Sequence, residues 1–304
     1  MWAVNVSVAD VRTRPVPADF NAEIDRDQET QVLFNEEVEV GEKRDGWIKI
    51  QAVQQERFRP EMGWTGYPGW IREDQICTRL EKPKFDLVVT YPWASLERGK
   101  GTLPLPMGTY LQKMGETGGE QEYCTVLLPQ GDLGTILKQH VSTFSNSLEP
   151  KRLAIIESAK KLIGHRYTWG GLCPEQMEVK STFTSIDCSG LVHLAHRVQG
   201  IKIPRDADCQ FKKCHPIEPQ KMQPADLIFL SPIDRERITH VILFIEGDQF
   251  IDANIADRKV VISTASQRFG ISFRDMANKM EVKTLNSSPT KAYRIHFGRI
   301  GDHA

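Results

Sequence analysis

The chain has 304 residues, 40% of them hydrophobic and 26% charged, with a net charge of −1. This length suits two or three globular domains, and so even a charge balance gives no electrostatic basis for binding nucleic acid or an anionic membrane. Six cysteines are too sparse for a disulfide scaffold, and no apolar run reaches the roughly 18 residues of a membrane span.

The start, Met1-Trp2-Ala3-Val4-Asn5-Val6-Ser7, has neither a basic region nor a long apolar segment, so it does not read as a signal peptide. A cytoplasmic protein is expected, the alternative being an exported one whose leader is absent from this chain. Residues 1–80 read as short strands without a helix. Val4-Asn5-Val6-Ser7-Val8 and Val38-Glu39-Val40 alternate apolar and polar, Trp47-Ile48-Lys49-Ile50 does so more loosely, and Asp45-Gly46 and Gly66-Tyr67-Pro68-Gly69-Trp70 supply turns. The charged stretch Gln51–Met62 is expected to loop out. This order of strands and Gly-Trp turns resembles bacterial SH3-like modules. Residues 81–147 read as a second module of the same kind, with strands around Phe85–Val89, Thr109–Lys113 and Tyr123–Leu128. The polar run Ser142–Ser147 marks its end.

Past Pro150 the character changes, and residues 148–304 form the third predicted domain. Leu153, Ile155, Ile156, Ala159, Leu162 and Ile163 recur at helical spacing up to Gly164. A second helical pattern (Leu191, Val192, Leu194, Ala195, Val198) is predicted to begin one residue after Cys188. Ala225–Leu230 and Thr239–Ile245 read as buried strands, the latter joined through Glu246-Gly247-Asp248 to Gln249–Asn254. Helix first, then hairpin-linked strands, is an α+β layout.

A thiol at a helix start sits where the unpaired N–H groups stabilise an anion, so Cys188 is the candidate nucleophile. It needs a base, and a group to orient that base. Of eight histidines, His240 is favoured because it opens a strand and so sits at a sheet rim; His193 and His196 lie in the helix after Cys188, His165 follows a helix and His215 is in a loop. Alternate strand residues share a face. A three-residue loop would therefore bring Asp252 onto the face of His240, diagonally within reach, whereas a two-residue turn would separate them. The cluster Cys209-x4-Cys214-His215 lacks the paired short spacings of a structural zinc site, so no metal is expected.

Tyr167-x-Trp169-Gly170-Gly171, Asp187-Cys188-Ser189-Gly190-Leu191-Val192, Ile203-Pro204-Arg205-Asp206 with Gln210, Ala225-Asp226-Leu227-Ile228-Phe229, His240-Val241 and Phe250-Ile251-Asp252-Ala253 occur in this order. The set resembles the NlpC-type cysteine peptidases, papain-like γ-D-glutamyl-L-diamino-acid endopeptidases, over residues 150–300. The resemblance implies an α+β papain-like catalytic domain behind two small all-β SH3-like barrels, working as a monomer without metal or cofactor. It assigns Cys188 as nucleophile, His240 as base and Asp252 as third polar residue, with Tyr167 supporting the oxyanion. Two departures stand out: the family's third residue is usually histidine, and its strand motif usually opens Gly-Asp where this chain has Ala225-Asp226. The gap between Trp169 and Cys188 is also long, suggesting an inserted loop.

Two SH3-like modules before such a domain resemble the subgroup that trims free L-Ala-γ-D-Glu-diamino acid peptides, in which the first module closes the cleft. That resemblance implies Asp187, Glu36 and Tyr67 as recognising the free N-terminus of L-Ala, and Ser189 and Asp206 as lining the D-Glu side. Arg205 either pairs with the D-Glu carboxylate or is held by Asp206, and Trp169 is expected to pack behind the site. The competing readings are an exported hydrolase acting on intact peptidoglycan and a wall-binding protein without catalysis.

Overall fold

The computed structural model describes residues 1–20, 22, 24–118, 122–144, 151–176, 184–285 and 291–301. The expected boundary at Ser147 lies outside them, as does much of the loop before Cys188. The chain forms two compact units, Met1–Asn146 with Thr168–Ser185, and Ser147–Tyr167 with Ile186–Ala304. Among the described residues no helix is long and apolar enough to cross a membrane.

The first unit is all-β in its N-terminal part. Strands β1 (Trp2–Val4), β2 (Val8–Arg12), β3 (Gln28–Leu33), β4 (Glu37–Arg44), β5 (Trp47–Arg59), β6 (Gly63–Arg72) and β7 (Ile76–Thr78) form one antiparallel sheet. Their order is β3-β2-β6-β5-β4-β1-β7, around a core that includes Val11, Val32, Ile48, Ile50, Tyr67 and Ile71. The stretch Gln51–Met62 does not loop out. Most of it continues β5 and pairs with β6 down to Arg59↔Gly63, with a register shift between Ala52 and Glu56. The shift re-aims the strand so that Gln55 stays fully buried beyond the apolar stretch.

A second antiparallel sheet holds β8 (Leu87–Val89), β9 (Trp93–Arg98), β10 (Gly101–Pro106), β11 (Tyr110–Thr117), β12 (Tyr123–Leu127), β13 (Leu133–Leu137) and β14 (Val141–Thr143). Its order is β10-β9-β13-β12-β11-β8-β14, and Leu87, Leu96, Leu105, Leu111, Val126 and Ile136 fill its core.

Thr168–Ser185 belongs to this first unit although it precedes the nucleophile in sequence. The reason is a buried polar cluster in the first sheet. Asp10 Oδ1 accepts from Gln28 Nε2 (2.9 Å) and Gln31 Nε2 (3.0 Å). So oriented, Gln31 Oε1 accepts from the Leu172 N–H (2.9 Å) and the Cys173 thiol (3.3 Å). Gly170, at φ 73°, lies against Gln28, and a Cβ there would be 2.6 Å from Gln28 Cγ.

In the second unit α1 (Arg152–Lys160), α2 (Cys188–Arg197) and α3 (Ala207–Lys213) precede the sheet strands β15 (Cys214–Pro216), β16 (Leu227–Pro232), β17 (His240–Glu246), β18 (Gln249–Asn254) and β19 (Lys259–Thr264). The short helices α4 (Ala265–Phe269) and α5 (Phe273–Lys279) follow, then β20 (Glu281–Lys283) and β21 (Ala292–Ile300). The sheet order is β15-β21-β16-β17-β18-β19, with β20 on β21. Ile228, Leu230, Ile242, Phe244, Phe250 and Phe297 of the sheet share one core cluster with Phe269 of α4, and α2 packs against β17 and β18. Every residue of α2 is buried, as expected of a helix clamped between a sheet and α1. Asp226 accepts from the Gln223 N–H at a turn and is ion-paired with Arg152 and Arg299. Its neighbour Ala225 has φ 69°, the left-handed region that favours glycine, which accounts physically for the Gly-Asp form of the motif.

Candidate active site

Cys188 is the first residue of α2, one position earlier than the apolar pattern suggested. The start is fixed by Asp187, whose extended backbone (φ −92°, ψ 177°) and Oδ1, accepting from the Gly190 N–H at 2.6 Å, make it the N-cap. Upstream, Gly164–Tyr167 runs along the edge of β19. The Gly164 N–H donates to Val260 O (2.8 Å) and the Tyr167 N–H to Arg258 O (2.9 Å), and the Ile186 N–H then donates to Arg166 O (2.9 Å). Backbone hydrogen bonds thus tie the residue before the cap to the sheet, and Cys188 is 8% exposed.

His240 and Asp252 meet through the β17–β18 hairpin. The turn is two residues, since Glu246 pairs with Gln249, but the register shifts between Phe244 and Glu246, so that Phe244 pairs with Phe250 and Leu243 with Ile251. The extra residue restores the parity that a two-residue turn would have destroyed. Asp252 Oδ1 consequently accepts from His240 Nε2 at 2.7 Å. With Nε2 so engaged, Nδ1 is the ring nitrogen left for the Cys188 thiol, which is near enough to raise the imidazole pKa.

Electrostatics follow this geometry. Burial alone would lower the His240 pKa, but the Asp252 carboxylate and the Cys188 sulfur outweigh it and raise it to about 10. Burial likewise opposes ionisation of Asp252, and His240, Arg268 and the Asn254 amide overcome it, leaving the carboxyl below its ordinary range. His193 and His196 are different: burial lowers them to about 3 and about 4, so both remain neutral packing residues of α2. Tyr167 is raised by burial and by the neighbouring Cys188, Asp187 and Asp252, so its hydroxyl keeps its proton.

The remaining predicted residues divide between the two units. In the second unit Asp187, Ser189 and Arg205 form one buried cluster. Arg205 donates from Nη1 to Asp187 Oδ1 (3.0 Å) and Ser189 Oγ (2.9 Å) and from Nη2 to Asp187 Oδ2 (2.8 Å). Asp187 therefore holds Arg205 in bidentate carboxylate geometry. Asp206 occupies the N-cap position of α3 but makes no side-chain cap bond. Gln210 donates to Ser189 O and Pro204 O, both at 3.0 Å. In the first unit Tyr67 lies in the core of the first sheet, its hydroxyl donating to Glu29 Oε2 (3.0 Å) beneath the Arg57 guanidinium. Glu36 follows the turn after β3 and is buried, accepting from Gln55 Nε2 at 3.1 Å. Trp169, expected to pack behind the site, is 51% exposed.

Residues that motif reasoning did not single out lie behind Asp252. Its Oδ2 accepts from Asn254 Nδ2 (3.1 Å) and faces Arg268 Nε at 3.2 Å. Asn254 also bonds Asp257 through side chain and backbone. An arginine sixteen residues downstream of its carboxylate, on another element, leaves no local signal in the sequence.

Residues 164–277 match the NlpC/P60 family model. A gamma-D-glutamyl-L-lysine dipeptidyl-peptidase of Bacillus cereus is 30% identical over 248 residues, 77% of this chain and 69% of the relative. The chain belongs to the NlpC/P60 family. A Bacillus subtilis relative of the same name is 26% identical over 241 residues, covering 79% of this chain and 76% of that one. In fold, an NlpC/P60 family protein from Bacillus cereus superposes with a TM-score of 0.75 at 24% identity, over 87% of this chain and 94% of the other. Its likeness is one of fold, and at that coverage it takes in the all-β region as well as the second unit.

Proposed function

We propose that the chain is a cysteine peptidase that hydrolyses the γ-D-glutamyl–L-diamino acid bond of peptidoglycan-derived peptides carrying a free N-terminal L-Ala. The observation that carries the reading is the chain Cys188–His240–Asp252, with Nε2 of the imidazole 2.7 Å from a fully buried carboxylate. The names of the two Bacillus relatives support the γ-D-glutamyl specificity. In the reaction the Cys188 sulfur anion adds to the γ-carbonyl of D-Glu, and the backbone N–H at the start of α2 meets the oxyanion, with Tyr167 supporting it. The His240 imidazolium protonates the departing amine, leaving a thioester. Water then attacks the thioester, His240 takes its proton, and the C–S bond breaks to return the thiol and a free carboxylate. The requirement for a free amine is the finer part of the reading, and the buried carboxylate of Asp187 beside the nucleophile supports it. Two SH3-like modules, a monomer, and a cytoplasmic site of action on free peptides complete the proposal.

The test is incubation with L-Ala-γ-D-Glu-meso-diaminopimelate, its lysine counterpart, the N-acetylated tripeptide and whole sacculi, with products identified by mass. Release of L-Ala-D-Glu from the free tripeptides, absent with Cys188→Ala, is expected. Equal rates on acetylated peptide would remove the free-amine requirement, and turnover of sacculi alone would transfer the function to intact wall.

A further inference from the structure

Asp252 is fully buried, and water cannot share its charge. One oxygen serves His240, while the other meets the Asn254 amide and Arg268. Arg268 is itself only 8% exposed. Among the described residues its Nε and Nη1 make no hydrogen bond, and the ion pair it forms is with Asp252. Burying a guanidinium is costly unless its charge is compensated, so a residue this sparsely hydrogen-bonded is held for its charge.

Its placement is rigid. α4 opens with a reciprocal capping box between Thr264 and Gln267 and closes on Gly270 at φ 71°. The Leu285 N–H adds a bond to Arg268 O at 3.2 Å. α4 follows directly on β19, whose Val261 pairs with Asp252, and that hairpin register returns the helix to the carboxylate.

We propose that Arg268 is a positioning residue of this site, supplying the positive charge that lets an aspartate stand where the family usually has histidine. The inference rests on Cys188 and His240 being the reacting pair. A sulfur anion, an imidazolium, a carboxylate and a guanidinium alternate in sign and sum to zero. Without Arg268 the buried set carries a net negative charge. The other groups around it do not compensate: Tyr167 is neutral, Asp187 is already paired with Arg205, and Asn254 carries no charge and binds Asp257. Removing the guanidinium therefore makes every group of the set hold its proton more tightly.

The test is the pH dependence of Cys188 alkylation by iodoacetamide, corrected with Cys188→Ala, in the full chain without peptide. Arg268→Met should move the midpoint upward by about half to one pH unit, which slows alkylation about three- to tenfold on the acid side. Arg268→Lys should restore the parent midpoint, and kcat/KM for the tripeptide should shift in parallel. An unmoved midpoint in the Met variant, whatever its rate, overturns the proposal. Should that variant fail to fold, Asp252→Asn/Arg268→Met removes both charges. It should fold and place the midpoint above that of Asp252→Asn alone, because the sulfur anion still loses a neighbouring positive charge; a midpoint at or below that of Asp252→Asn, or no folding when Asp252→Asn folds, overturns it. Alkylation needs no substrate, so failure of the parent protein to cleave γ-D-glutamyl peptides would sink the functional reading and leave this test standing.

Discussion

Asp252→Asn isolates what the carboxylate does. The asparagine carbonyl can still accept the Nε2–H of His240, so the orientation survives while the charge is removed. In the parent chain burial pulls the imidazole pKa down and the Asp252 carboxylate is the first of the influences that raise it, to about 10. Without the charge the value should fall to about 6.5 or lower. Near pH 8 the imidazolium population then drops from almost complete to about one in thirty, and kcat/KM should fall about thirtyfold, while near pH 6 it falls only slightly. Stability follows with a defined sign. The folded-state pKa of His240 lies above its unfolded value, so its pairing stabilises the fold fully below about pH 6.5 and is lost as pH rises through about 10. Asp252 is lowered, and its contribution is present above its unfolded value and lost as pH falls. Pre-steady-state acylation and urea unfolding across pH 5 to 10 measure both effects. Activity and unfolding profiles of the Asn variant that superimpose on those of the parent would refute the reasoning.

Three further outcomes are expected. Arg205→Met strips the bidentate partner from buried Asp187 and should cost about 3–5 kcal/mol in urea unfolding; a loss under about 1 kcal/mol contradicts a structural ion pair. Gly170→Ala places a Cβ against Gln28 at a positive φ, so differential scanning calorimetry should show a loss of about 1–3 kcal/mol, and an unchanged melting temperature argues against the close approach. Ala225→Gly relieves a left-handed alanine and should leave stability unchanged or raise it by up to about 1 kcal/mol; a clear fall in melting temperature counts against strain there.

The chemistry was legible because it rests on short, local patterns. A thiol just before an apolar helical pattern announces a helix start at Cys188, and strand alternation brings His240 and Asp252 to one face once the loop parity is known. The parity itself was not visible: the turn is two residues, and the extra residue sits in a bulge beside Ile245 that no turn signature marks. Gln51–Met62 misled because charge and glutamine mark a loop only when the strand stays regular, and here a bulge turns polar residues inward. Glu36, which follows the turn after β3, is buried and accepts from Gln55 of that bulged strand, a contact between distant residues that no local pattern announces. Arg268 and the Arg205–Asp187 pair are contacts across elements, and a single sequence holds no record of which distant charges meet.

The path of the backbone has a consequence for how such a protein can be taken apart. It passes from one unit to the other after residues 146, 167 and 185, carrying the fully buried Leu172 and Cys173 with the N-terminal strands. A graft made at the apparent seam near residue 150 would strand that excursion in water, its amide and thiol deprived of Gln31. Gene shuffling that respects only linear order would therefore separate that excursion from the side chain that satisfies it.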